Sequence, residues 1–197
     1  QRLQAWVKAW AKENNLSFKK DDVGNILVTR EATPGYEDVP TLTFQSHQDM
    51  VCEKTLESAH DFENDPIPIR VEGNILVADG TTLGADNGAG IAISMALLSD
   101  PDLKRHGKIE ALMTVEEESG LKGAIQMKAG FFTGKKMINL DSEELGDIII
   151  GSAGGGGTKY TVPVEFHNVE GGKGIRVEVS GLLGGHSGVD IHLPRMS

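Results

Sequence analysis

The sequence predicts an α/β fold, a mostly parallel sheet with flanking helices, followed by the start of a second domain. Three observations predict it. Apolar runs of strand length alternate with helical patterns over residues 1–155, as in sheets whose strands are joined by covering helices. Three of those runs, at 41–44, 109–115 and 136–140, lead directly into His or carboxylate residues, and a parallel sheet delivers the residues at its strand ends to one crevice. From Gly154 the pattern changes: a glycine run at 154–157 is followed by strict alternation at 159–166 and 175–179, the mark of a one-sided antiparallel sheet. A second domain is therefore expected over residues 156–197.

The elements follow in order. Residues 1–14 place Leu3, Trp6, Val7 and Trp10 at helical spacing. No cap precedes them, so the helix is expected to begin earlier in a longer chain. Segments 16–20 and 26–29 read as strands around the turn at Asp22, Val23, Gly24 and Asn25. Pro34 and Gly35 mark a loop before the strand at 41–44. Residues 52–68 are polar and contain proline, and read as an excursion over the site. Segments 69–71 and 74–77 form a hairpin turning at Glu72, Gly73 and Asn74. Residues 87–98, rich in Ala, Ile, Met and Leu, form a helix that Asp100 and Pro101 stop. A strand at 109–115, a short helix at 121–127 and a strand at 137–140 complete the first domain.

Bulk properties narrow the function. A net charge of −10 and a pI near 5.0 make a nucleic-acid or phosphate-binding surface improbable. Part of that acidity is clustered carboxylate, which needs cations. Cys52 is the sole cysteine, so no disulfide forms within the chain, and a reducing cytoplasm is expected. No apolar run is long enough to cross a membrane, and no signal peptide is read.

The chemistry lies in four segments. His47 and Asp49 are two residues apart, a spacing that lets a carboxylate hold the ring nitrogen not used for a metal. An inert strand-end histidine is the alternative, weakened by the three acidic segments that follow. Asp86 sits among Gly84, Ala85, Gly88, Ala89 and Gly90, where the backbone bends sharply and two cations can approach one carboxylate. It is equally placed to cap the helix that follows. A phosphate loop is rejected, because the segment lacks the Lys and Ser/Thr of a P-loop and the spacing of a dinucleotide fingerprint. Glu116, Glu117 and Glu118 form either a solvated acidic face or, since adjacent residues of an extended chain point oppositely, one metal ligand beside one base. Asp141 is the first carboxylate after the strand at 137–140, ahead of Glu143 and Glu144. One His with several carboxylates suits a borderline ion such as Zn²⁺. His60, His106, His167 and His192 read as surface residues. His186, flanked by glycines, reads as a turn histidine or a ligand-facing donor.

Five segments together carry a resemblance: 46–51 (Ser-His-Gln-Asp-Met-Val), 82–88 (Thr-Leu-Gly-Ala-Asp-Asn-Gly), 114–117 (Thr-Val-Glu-Glu), 139–143 (Asn-Leu-Asp-Ser-Glu) and 184–188 (Gly-Gly-His-Ser-Gly). In that order they resemble the dinuclear zinc peptidases and deacylases that include carnosinase, aminoacylase and glutamate carboxypeptidase, and most of all the aminoacyl-histidine dipeptidases. The resemblance implies a catalytic α/β domain with an inserted α+β lid, and a homodimer formed through that lid. It implies two Zn²⁺ per site, with Co²⁺ or Mn²⁺ as substitutes. His47, Asp86, Glu117 and Asp141 would be metal ligands, with Asp86 bridging. Asp49 would orient His47, Glu116 would be the general base, and His186 would reach the substrate of the partner subunit. The implied activity is hydrolysis of small dipeptides, Xaa-His among them. A deacylase, desuccinylase or aminoacylase of the same fold is the alternative. A last ligand His lies downstream in the family, so these 197 residues alone are expected to be inactive.

Overall fold

The structure, a computed structural model, describes residues 2–142, 146–152, 154, 156, 158–168, 170–183 and 192–194. The chain divides into two compact units, Gln1–Leu145 and Gly146–Ser197.

The first unit is a five-stranded mixed sheet in the order β1-β2-β6-β3-β7: β1 (Ser17–Lys20), β2 (Ile26–Arg30), β3 (Leu42–His47), β6 (Ile109–Thr114) and β7 (Lys136–Asn139). β2 pairs antiparallel with both β1 and β6, whereas β3 pairs parallel with β6 and β7. Four of the five strands therefore point one way, the mostly parallel sheet expected. The central strand β6 is buried along its whole length, which its apolar run anticipates. Helices α1 (Arg2–Glu13) and α2 (Ala85–Ser99) cover one face, and Val7, Ala11, Ile91, Met95 and Leu98 pack there on Ile26, Val28, Ile109, Ala111 and Met113. Full burial of a Val or Ile side chain contributes about 1.5–3 kcal/mol. The opposite face holds a smaller cluster of Leu27, Leu112 and Phe131, near the short helix α3 (Lys122–Gln126). A separate hairpin, β4 (Ile69–Glu72) and β5 (Ile75–Ala78), leads into α2.

Two expectations fail in detail. Trp6 is 55% exposed, because the face α1 buries runs through Val7 and Ala11, with Leu3 and Trp10 beside it. His106 is buried rather than at the surface, its Nδ1 against the Gly107 carbonyl at 2.8 Å.

One buried acid belongs to the scaffold. Glu110 on β6 has no exposed surface and accepts bonds from the Thr43 hydroxyl, the Thr133 hydroxyl and the Thr133 and Gly134 amides, at 2.7–3.1 Å. Burial pushes its pKa up, but these donors outweigh it and hold the group below the ordinary glutamate value. Glu110 thereby ties β6 to β3 and to the turn before β7.

Among the described residues of the second unit there is no strand or helix. Val162, Val164, Phe166, Ile175, Val177 and Val179 are exposed. The alternation legible in sequence is thus not expressed as a ladder there; an isolated pair of strands is at best marginal without a covering layer.

Candidate metal centre

Strand β3 ends in His47, which the neighbouring parallel strands bury to 1% exposure. The ladder continues past it through the Gln48 amide and the Thr114 carbonyl at 2.8 Å, so the strand end is held firmly. His47 Nδ1 lies 2.9 Å from the backbone carbonyl of Asp49 and donates its proton there. The other nitrogen, Nε2, then faces Asp86 Oδ1 at 2.8 Å and Asp141 Oδ1 at 3.5 Å.

Asp86 arrives from the start of α2. Its residues Asp86 and Asn87 depart from helical backbone angles, and the peptide bond between them is cis. The cap is Gly84, in the left-handed region, with no side-chain cap bond, so Asp86 does not serve as the cap. Asn87 is buried and donates to the Leu140 carbonyl and to Asp141 Oδ1. Gly90 makes this possible: a Cβ there would lie 2.0 Å from Asn87 Oδ1. Asp141 follows β7, where the Leu140 amide donates to the Gln45 carbonyl and keeps the strand end in register with β3.

The acid run behaves differently from the expectation. β6 ends at Thr114, and Glu116 adopts φ 51°, the left-handed region. The alternation assumed for extended chain stops there. The Glu116 carboxylate turns to Lys122 Nζ, at 2.8 and 2.9 Å, and is half exposed. Glu117 and Glu118 are the two whose carboxylates gather at His47. Glu117, the expected ligand, thus stands in a candidate ligand group with His47, while the carboxylate of Glu116, the expected base, is paired with Lys122. Glu118 was legible only as the third member of the run.

Asp49 has a role the spacing did not disclose. Its carboxylate accepts the backbone N–H of Glu117 at 3.0 Å and of Glu118 at 3.1 Å. Its oxygen stands 3.5 Å from His47 Nδ1, so the carbonyl rather than the carboxylate is the nearer partner of the ring. Asp49 aims the acid loop more directly than it aims the histidine.

Two groups of ligand atoms result, each within 4.8 Å of one another: His47, Asp86 and Asp141, and His47, Glu117 and Glu118. Such a concentration of carboxylate is unfavourable without a cation. Burial raises the pKa of Glu117, and Asp141, Asp49 and Asp86 add to it against the pull of His47. Burial raises Glu118 too, with Asp86 and Glu117 contributing. Asp141 is likewise raised, first by burial. For His47 burial works downward, but the Asp86 bond and the charges of Asp141, Asp86 and Asp49 win and raise it. One imidazole nitrogen with four carboxylates, held by backbone and amide partners, fits a divalent ion. His186 lies outside the described residues.

No family model matches the chain. The cytosol non-specific dipeptidase of Escherichia coli is 39% identical over 194 residues, which cover 98% of this chain and 40% of that protein. The crystal structure of aminoacylhistidine dipeptidase from Vibrio alginolyticus matches with a TM-score of 0.69 at 40% identity, covering 73% of this chain and 29% of that one. Aminopeptidase PepT from Bacillus cereus matches with a TM-score of 0.59 at 30% identity, covering 71% of this chain and 37% of that one. This chain spans about two fifths of the length of the curated relative. Across nearly all of its own residues, it is a homologue of cytosol non-specific dipeptidase.

Proposed function

We propose that this chain supplies the metal centre and general base of a metal-dependent dipeptidase acting on unblocked dipeptides, Xaa-His among them. The observation that carries the reading is His47: buried, with Nδ1 tied to a carbonyl and Nε2 turned toward carboxylates from three separate segments. The dipeptidase relatives support the substrate class.

Bound divalent ions would supply Lewis-acid activation of water and polarisation of the scissile carbonyl. The chain's own residues do the rest. His47, Asp86, Asp141 and one of the paired glutamates hold the ions. We assign Glu117 as that ligand, because it groups with His47 and is the less exposed of the two, and keep Glu116 as the base, as the sequence resemblance implies. Glu116, released from Lys122, takes the proton of the attacking water as the new C–O bond forms. It returns that proton to the amine nitrogen as the peptide C–N bond breaks. Two Zn²⁺ per site are proposed, with Co²⁺ or Mn²⁺ as substitutes.

The remaining proposals rest on the sequence resemblance. Residues 1–155 form the catalytic part and 156–197 begin a lid, where the glycine run and the change of pattern fall. The lid carries His186 to the substrate of a partner subunit in a homodimer. A cytoplasmic location is proposed from the cytosol dipeptidase relative.

The test is a substrate panel on the full-length protein, stripped of metal and reloaded with zinc. Hydrolysis of free dipeptides that returns with zinc is expected. Activity confined to N-acylated amino acids would move the assignment to a deacylase, and none on either class would end the enzymatic reading.

A further inference from the structure

The turn at residues 21–25 has no part in the chemistry above, yet it is bonded to the loop that carries both glutamates. We propose that Asn25 is a positioning residue for the acid loop 115–123, setting where the Glu117 and Glu118 carboxylates stand relative to His47. This rests on the metal-centre reading of those glutamates.

Asn25 has no exposed surface, and every polar atom of its side chain is used. Its Nδ2 donates to Asp21 Oδ2 at 2.7 Å and to the Gly123 carbonyl at 2.9 Å. Its Oδ1 accepts the Val115 N–H at 3.1 Å. Asp21 in turn fixes the turn, its Oδ1 accepting the amides of Val23, Gly24 and Asn25 at 2.8–3.0 Å. Val115 and Gly123 are the two ends of the loop, joined by the Gly123 N–H to the Val115 carbonyl at 2.9 Å. One buried amide therefore grips both ends of the loop at its neck, while Asp49 grips the amides of Glu117 and Glu118 at its tip.

Two further features show the neck is built around this side chain. A Cβ on Gly123 would lie 2.4 Å from Asn25 Oδ1 and 2.5 Å from the Val115 carbonyl oxygen, so the loop closes here only because residue 123 has no side chain. Inside the neck, Glu116 and Leu121 both occupy the left-handed region, at φ 51° and 59°. Non-glycine residues persist there when surrounding contacts over-determine them. The neck supplies that constraint, and the Glu116 conformation is what turns Glu117 and Glu118 toward His47.

The test compares the full-length protein with Asn25→Ala and Leu98→Ala. Leu98 sits in the core at the end of α2 away from Asp86 and reports on a general loss of stability. Zinc affinity is measured by competition with a chelator, and amide exchange of Glu117 and Glu118 is measured on metal-free protein. Asn25→Ala should weaken zinc binding by about 10- to 100-fold, the usual cost of losing a partner behind a ligand, and speed exchange at both amides. Leu98→Ala should lower the melting temperature and leave zinc affinity within about twofold. If Asn25→Ala does not melt cooperatively, Asn25→Ser replaces it: its short hydroxyl brings no charge beside Asp21 and cannot bridge both ends of the loop, so it should show the same changes. Wild-type protein that takes up no zinc would overturn the metal-centre reading instead, and the metal-free exchange would still decide the role of Asn25. Unchanged exchange at Glu117 and Glu118 in a folded Asn25 variant overturns the proposal, as does equal loss of zinc affinity in Leu98→Ala.

Discussion

Asp49→Asn changes one functional group and separates two accounts of what Asp49 does. In the native protein its carboxylate accepts two backbone N–H groups, from Glu117 and Glu118, at 3.0 and 3.1 Å. Bonds to a charged acceptor contribute about 1.5–3 kcal/mol each. Asparagine keeps one oxygen, so one bond survives as a neutral bond of about 1 kcal/mol. The other becomes an NH₂ facing an N–H, two donors with nothing between them. The loss in ordering the acid loop is then about 2–5 kcal/mol, which at 1.4 kcal/mol per tenfold is at least about 30-fold in zinc affinity. The Nδ1 partner of His47 is the Asp49 backbone carbonyl and is retained, so His47 should keep its tautomer and orientation. Calorimetric zinc titration of the full-length protein, with the imidazole nitrogens followed by nitrogen NMR, gives both answers together. Weakened zinc binding with an unchanged His47 spectrum is expected. Unchanged affinity, or a switched His47 tautomer, would refute the claim that Asp49 acts on the acid loop.

Three further outcomes follow from the same geometry. Glu116→Gln should retain metal and lose about 10²–10⁴-fold in turnover, whereas Glu117→Gln should weaken metal binding; the reverse outcome would exchange the two roles, and metal analysis beside steady-state kinetics distinguishes them. Glu110→Gln should destabilise the protein by about 1.5–3 kcal/mol in denaturant titration, since it weakens a buried, fully bonded carboxylate. Because the folded pKa of Glu110 is depressed, its contribution is present above the unfolded value of about 4.5 and disappears as pH falls through the folded value, so wild type and variant should converge in strong acid. Zinc uptake should release protons, and affinity should fall with acid already above the usual carboxylate range, because Glu117, Glu118 and Asp141 are all raised; titrations in buffers of different ionisation enthalpy measure the release.

Much of this was legible in the sequence, for reasons that can be named. The strand-to-ligand junctions at His47 and Asp141 were readable because buried strands leave uninterrupted apolar runs, and the residue after such a run sits at the sheet edge. The helix after Asp86 was readable from its small and apolar residues. The direction of each glutamate side chain was not, because it depends on one backbone angle: Glu116 at φ 51° breaks the alternation that any extended segment would obey. Asn25 was equally hidden. Its bonds reach Val115 and Gly123, some ninety residues away in the chain, and no local pattern carries that information. His106 looked exposed by its polar neighbours, yet it is buried with its Nδ1 against the Gly107 carbonyl and its amide bonded to the Thr33 hydroxyl.

The most direct test of the central claim is to strip the full-length protein of metal, return zinc stepwise, and follow both occupancy and hydrolysis of a free dipeptide in wild type and His47→Ala. The account predicts that the stripped wild type is inactive, that turnover returns as zinc fills the site, and that His47→Ala neither holds zinc at the wild-type level nor regains activity. Dipeptide hydrolysis by the stripped protein at the full rate, or full zinc binding by His47→Ala, would contradict it.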